Sequence, residues 1–278
     1  MNSGDRPLSA LSALSADWFA LAIGNSRLHW AWFVDSTLKQ TWDTPHGSAT
    51  LIDALGVEQA IAHLATSVSS DLSLLNALTT FQSCDPPPLW IASVVPPQAE
   101  LWMRYAHARL LTLVDVPLTA VYSTLGIDRA LALWGAATTL GTPILVVDAG
   151  TALTVTGADV ASRLVGGAIL PGLRLQYQAL ADDTAALPDV ALPLSLPPRW
   201  ATNTTDAIHS GILYSALAGI EAAVTAWLVD FPESAIAVTG GDSVRLHAYL
   251  TQHNAALAAR IVVDQQLVFR GILSIALA

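Results

Sequence analysis

Asp148 stands where an apolar run stops: "ILVV" at 144–147 leads straight into "DAGTALT" at 148–154. An Asp at the end of a buried strand projects a carboxylate that can hold Mg²⁺, directly or through water, beside a phosphate. Gly150 would let the backbone approach such a ligand, and Thr151 would add a hydroxyl and an amide as donors. A plain hairpin with Asp at its turn fits the same letters. Upstream, "GIDRALALWGA" puts Asp128 and Arg129 in the first turn of a helix. Asp there serves as a helix cap. It also serves as a general base for a hydroxyl, beside an Arg that holds an anion.

Four further stretches carry groups able to bind. "WFALAIGNSRLHWAWF" at 18–33 is an apolar run, the turn Gly24-Asn25-Ser26 and an alternating strand. It reads as a phosphate-facing turn or as a simple hairpin, with Arg27 as the only nearby cation. "GGAILPGLRLQ" joins a glycine-rich strand to a helix through Pro171-Gly172, which either aims amides at a ligand or turns a corner. "ATNTTDAIHSG" at 201–211 is rich in capping donors, among them Thr204, and one Thr could face a ligand instead. "VTGGDS" at 238–243 ends a strand on Gly240 and Gly241, a turn on which a nucleobase or ribose can rest. His29 reads as a surface or pairing residue of its strand, and His209, His247 and His253 have no metal-ligand spacing. The nine Trp read as core and interface residues, with no ladder for stacking bases.

These groups must be held by a sizeable core. The chain has 278 residues, 53% hydrophobic and 12% charged, room for two domains of ordinary size. A net charge of −10 argues against nucleic-acid binding, which rests on Lys and Arg neutralising phosphates. A small anion must then be met by amides, helix N-termini and a few Arg. Mean hydropathy is +0.50, yet no run of about 18 apolar residues occurs, so no membrane span is expected. Residues 1–16 lack a basic n-region and a compact apolar core, and are expected to be a disordered leader rather than a signal peptide. The single Cys84 leaves no internal disulfide and fits a cytoplasmic protein.

Hydrophobic periodicity supplies the elements. Strands are expected at 18–24, 27–34 and about 37–43, helices at 50–65 and 70–81, and a strand at 89–96. A helix from Pro96 to about Arg109 and a strand at 110–114 close the first half. The second half repeats the plan. A helix at 126–141 precedes strands within 143–159 and 163–172, then helices at 172–182 and 204–230. A strand at 235–241, a helix from 242 and a closing helix at 267–277 complete it. "AIGNS" at 22–26 and "DAGTA" at 148–152 occupy corresponding places, which suggests a duplicated α/β fold with one turn entering a cleft from each side.

In order, "IGNS", "GIDR", "DAGTALT", "GGAILPG", "TNTTDAIHSG" and "VTGG" resemble the type III pantothenate kinases over about residues 18–275. The resemblance implies two duplicated ribonuclease-H-like (actin-like ATPase) domains, 17–118 and 119–278, each a mixed sheet flanked by helices, with a cleft between. It implies ATP-dependent phosphorylation of pantothenate, the first step of coenzyme A biosynthesis, in a cytoplasmic homodimer using Mg²⁺ and a monovalent cation such as K⁺ or NH₄⁺. By position, Asp128 matches the general base, and Gly126, Ile127, Arg129, Thr204 and Tyr122 match pantothenate-binding residues. Gly24, Asn25, Ser26, Gly150, Thr151, Gly240 and Gly241 match the ATP and phosphate turns, and Asp148 the metal ligand. The chain departs from the family at four places. Ala22 and His29 stand where the first motif has Asp and Lys, Thr156 where an Asp follows the second motif, and Thr119 where a Tyr precedes GxDR. A non-catalytic homologue of the same fold, or a superfamily kinase for another hydroxylated acid or a sugar, are the alternatives.

Overall fold

The computed structural model describes residues 17–47, 49–66, 77 and 86–278. The expected leader and nearly all of the expected helix at 70–81 lie outside them. The described residues up to Val116, with Thr124–Leu131 and Gly271–Ala278, form one unit; Pro117–Ser123 and Ala132–Arg270 form a second.

The first unit is built on a five-stranded mixed sheet. Its strands are β1 (Asp17–Ile23), β2 (Leu28–Val34), β3 (Thr37–Thr44), β4 (Leu89–Ser93) and β5 (Ala108–Leu110), ordered β3-β2-β1-β4-β5. The first three form an antiparallel meander, and β4 and β5 run parallel to β1 and to each other. Helices α1 (Ala49–Leu55), α2 (Val57–Thr66) and α3 (Pro96–Trp102) accompany the sheet. The second unit repeats the order with β6 (Ile144–Ala149), β7 (Ala152–Ala158), β8 (Leu164–Pro171), β9 (Ala235–Thr239) and β10 (Ile261–Val263), arranged β10-β9-β6-β7-β8. Read from the meander outward, both sheets follow the order third, second, first, fourth, fifth, so the duplication expected from the sequence is present in the topology. Six helices complete the chain: α4 (Ile127–Leu140), α5 (Leu173–Asp182), α6 (Thr204–Asp230), α7 (Ser243–His253), α8 (Ala255–Ala258) and α9 (Leu267–Ala276).

Several boundaries differ from the periodicity. The expected helix at 50–65 is two helices, because Gly56 takes a φ of 79° between α1 and α2. The helix begun at Pro96 ends at Trp102 rather than near Arg109. Tyr105 donates its hydroxyl to the Pro87 carbonyl at 2.7 Å, and the chain turns to lay Ala108 beside Leu89. The fifth strand is therefore Ala108–Leu110, and 113–115 is a single 3₁₀ turn. The strand at 89–96 stops at Ser93, whose hydroxyl accepts the Val95 amide in a tight turn. Neither β10 nor α8 is signalled by the sequence, since three or four residues carry no period.

Among the described residues, α6 alone is long and apolar enough to cross a membrane. Its Ile208, Ile212, Leu213, Leu217, Ile220 and Val224 lie instead in the second unit's core, with Val147, Val155 and Val238. The first unit's core is aromatic. Trp30 stacks on Trp42 at 6.0 Å and meets Trp102 edge-on at 5.2 Å. Trp200 departs from the core reading: it is 88% exposed.

Trp30 also donates its indole N–H to the Thr44 hydroxyl at 3.0 Å, and both residues are buried. A buried N–H left without an acceptor costs about 1–3 kcal/mol. Thr44→Val, which keeps shape and removes the acceptor, should lower the unfolding free energy by about that amount in a urea titration.

Candidate active site

Both sheets gather their candidate residues at the carboxyl ends of parallel strands, the edge where open α/β sheets bind ligands. In the second unit, Asp148 is the penultimate residue of β6 and pairs in register with Thr154 of β7 and Thr239 of β9. The turn that follows is closed by the Gly150 N–H donating to the Ala152 carbonyl at 3.0 Å. It is pressed from two sides. Gly172 donates its N–H to the Thr151 carbonyl at 2.9 Å, and a Cβ at Gly172 would overlap the Gly150 and Thr151 carbonyls. Gly240, with a φ of 91°, sits against Asp148; a Cβ there would overlap Asp148 Oδ1 and reach within 2.6 Å of the Ala149 carbonyl oxygen. Thus Asp148, Gly150, Thr151 and Gly240 form one cluster, and Pro171-Gly172 is a buttress for it. Nothing stands within 4 Å of a Cβ at Gly241.

Asp242 and Arg174 were not singled out in the sequence and belong beside this cluster. Asp242 donates its N–H to the Ala149 carbonyl at 2.9 Å, and its carboxylate lies 4.0 Å from Arg174 Nε. Arg174 is largely exposed, in the first turn of α5. An Arg two residues after Pro-Gly was the available signal.

A single carboxylate beside glycine turns suits a divalent ion whose remaining ligands are phosphate oxygens and water. It does not suit an all-protein cage, and among the described residues no three His, Cys, Asp or Glu gather for one. Thr156, where the family has an Asp, is a buried strand residue that brings no carboxylate.

In the first unit, Gly24 closes the β1–β2 turn by donating its N–H to the Arg27 carbonyl at 3.0 Å, leaving Asn25 and Ser26 exposed at the tip. His46 Nε2 donates to the Gly24 carbonyl at 2.8 Å. Val94, just past β4, donates its N–H to the Ile23 carbonyl, and Val94 in turn lies 3.8 Å from where a Gly126 Cβ would be. The GxDR segment therefore starts at the same sheet end as the first turn.

Gly126 precedes α4, and a Cβ on it would overlap Asp128 Oδ1. The missing side chain is what lets the Asp128 carboxylate fold back over the helix start. Asp128 Oδ1 accepts the Arg129 N–H at 2.8 Å, so the capping role is present. Burial nevertheless pushes its carboxyl above the usual range, outweighing the backbone hydrogen bonds and the nearby Arg129 guanidinium. A carboxyl raised by burial is the kind of group that takes a proton from a hydroxyl near neutral pH. Cap and base are compatible in this geometry. Ile127 and Arg129 are buried beside it, Arg129 at 8% exposure.

His29 and Asp43 were not grouped by the sequence. His29 donates from Nδ1 to Asp43 Oδ1 at 2.7 Å, and that bond holds the Asp43 carboxyl below its usual range. Thr204 opens α6 next to the N-cap Asn203, whose side chain accepts the Asp206 N–H at 2.9 Å. Tyr122 is 45% exposed in the loop of 117–123. Thr119, earlier in that stretch, bridges to Arg163.

A family model for type III pantothenate kinase matches residues 18–226. A type III pantothenate kinase of Nostoc sp. (strain PCC 7120) is 46% identical over 260 residues, covering 93% of this chain and 94% of that protein. One from Synechocystis sp. (strain PCC 6803) is 41% identical over 93% of this chain and 90% of its own length. Among solved structures, a protein from Campylobacter jejuni described as a Baf family transcriptional activator superposes with a TM-score of 0.56 at 20% identity. It covers 92% of this chain and 96% of its own, and supports the fold alone. With the GxDR, DxGTAxT and GGxIxPG segments each in a defined structural place and the relatives matched along nearly their whole length, the chain belongs to the type III pantothenate kinase family.

Proposed function

We propose that this chain catalyses the family's reaction, ATP-dependent phosphorylation of pantothenate to 4′-phosphopantothenate in coenzyme A biosynthesis, with Asp128 as general base. The observation that carries the assignment is the Asp128 carboxylate, pinned over Gly126 and raised by burial. Its carboxylate would accept the proton of the pantothenate primary hydroxyl as the hydroxyl oxygen bonds to the γ-phosphorus and the bond to ADP breaks. Arg129, Gly126 and Ile127 would hold the acceptor, joined by Thr204 and Tyr122. Phosphoryl transfer asks the protein chiefly for positioning and charge neutralisation. Gly24, Asn25, Ser26, Gly150 and Thr151 would offer amides and hydroxyls to the phosphates, while Gly240 and Gly241 line the nucleotide side. Asp148 would hold the nucleotide's Mg²⁺, which supplies positive charge that an acidic protein otherwise lacks. A monovalent cation such as K⁺ or NH₄⁺ would find Thr156 in place of a carboxylate.

The same reading takes the enzyme to be cytoplasmic and a homodimer. Ala22 and His29 favour the alternative of a non-catalytic homologue, and turnover decides between them.

Asp128→Asn keeps the acceptor for the Arg129 amide and removes the base. Formation of 4′-phosphopantothenate should fall by about 10²–10⁴-fold; unchanged turnover would remove Asp128 from the base role, and an inactive wild type would favour the non-catalytic reading. Because the folded-state carboxyl is raised, the folded protein holds a proton that the unfolded chain has released. Stability therefore declines as pH rises from the ordinary carboxyl value through the raised one, while kcat climbs over the same window. At neutral pH, Asp128→Asn should melt no lower than wild type, and its kcat should lose this pH dependence.

Asp148→Asn should abolish most Mg²⁺-dependent turnover with little change in melting temperature; near-normal activity would return Asp148 to the role of a turn residue. Gly240→Ala must take a positive φ and press on Asp148, costing about 1–3 kcal/mol, whereas Gly241→Ala should be close to neutral in the same denaturant titration.

A further inference from the structure

His29 and Asp43 lie on one row of the first sheet. Register sets Ala22 of β1 opposite His29 of β2, and His29 opposite Asp43 of β3. The next residue in each β2–β3 strand, Trp30 and Trp42, points to the aromatic core, so the row faces away from that core. The two positions at which this chain departs from the family's first motif, Ala22 and His29, are thus direct cross-strand neighbours. The carboxylate absent from β1 has a counterpart on the other side of His29, one strand over.

The imidazole is aimed. Its Nδ1 donates to Asp43 Oδ1 at 2.7 Å, and its Nε2 lies 3.7 Å from the position a Cβ would take at Gly24. Asp43 therefore fixes the ring with Nδ1 on its carboxylate and Nε2 beside Gly24. His46 holds the same turn from its carbonyl. Side chains of His29 and Asp43 are 43% and 47% exposed, so a ligand can reach them.

We propose that His29, oriented by Asp43, binds a phosphate of ATP as an imidazolium and takes the place of the ammonium found in the family's first motif. This inference rests on the kinase reading for its ligand, and concerns residues which that reading leaves without a role. The tautomer makes the claim sharp. With Nδ1–H committed to Asp43, a neutral ring has only a lone pair at Nε2, which repels a phosphate oxygen; the protonated ring presents Nε2–H. The clamp therefore operates at low pH and is lost as the ring deprotonates. Charged and titratable groups around it are Asp43 across the β2–β3 pair, Arg27 in the turn and His46 on the Gly24 carbonyl; β1 presents only Ala22. Asp128 belongs to the same sheet end and acts on kcat, which separates its titration from that of His29.

The test is the KM for ATP against pH at saturating pantothenate and Mg²⁺, for wild type, His29→Gln, His29→Lys and Asp43→Asn. In wild type KM should rise about threefold or more from the acid to the alkaline end of the pH range over which the enzyme stays folded. His29→Gln should raise KM by about tenfold at the acid end and flatten the profile, the size of one charge-assisted contact. His29→Lys should be flat with a low KM, restoring the cation without the titration. Asp43→Asn should raise KM towards that of His29→Gln, since the ring loses both its orientation and the carboxylate that favours its charged form. A His29→Gln enzyme with the wild-type KM and pH profile would overturn the proposal while leaving the kinase reading intact. Calorimetric titration with ATP alone gives the same comparison without turnover. A His29-dependent, pH-dependent affinity in a protein that forms no phosphopantothenate would uphold the clamp and overturn the kinase reading. No ATP binding by wild type would overturn both.

Discussion

Side chains alternate along a strand, so packing Trp30 against Trp42 in the core obliges His29 and Asp43 to meet on the other face. A slip of one residue between β2 and β3 would break the aromatic stack, strand the Trp30 indole from Thr44 and separate the ion pair. The polar edge of the first unit is set by its apolar interior. Glycine does the corresponding task in the second unit, where the cluster around Asp148 closes only because Gly172 and Gly240 have nothing to place between backbones.

The two units solve one problem with different chemistry. Each brings a glycine turn to the carboxyl end of its first strand and a parallel neighbour beside it. The second keeps a carboxylate at the strand end, Asp148. The first has Ala22 there and instead carries the His29–Asp43 pair one and two strands away. The chain has only twelve Lys and Arg, so side-chain cations are scarce in both units.

At Asp128 one position both closes a helix start and sets the acidity of a carboxyl. Its oxygen closes the start of α4 by accepting the Arg129 amide, and burial at that same place raises the carboxyl. A capping Asp in water would be too weak a base to be useful. Burial raises the carboxyl and so makes it a stronger proton acceptor.

The order of motifs was readable from the letters alone, because a glycine turn after a buried strand and an Asp at a helix start are local patterns. Duplication was readable too, since β1–β3 and β6–β8 carry their own periodicity. The sequence also determined which groups are present: the carboxylates Asp128 and Asp148, and the absence of charge at Ala22. Tertiary structure decided what no window of residues contains. It ended α3 at Trp102, paired β5 and β10 as three-residue strands, set Gly172 and Gly240 against Asp148, and joined His29 to Asp43 across fourteen residues. Short parallel strands have no sequence period, and cross-strand partners are chosen by register and packing, which belong to the folded chain.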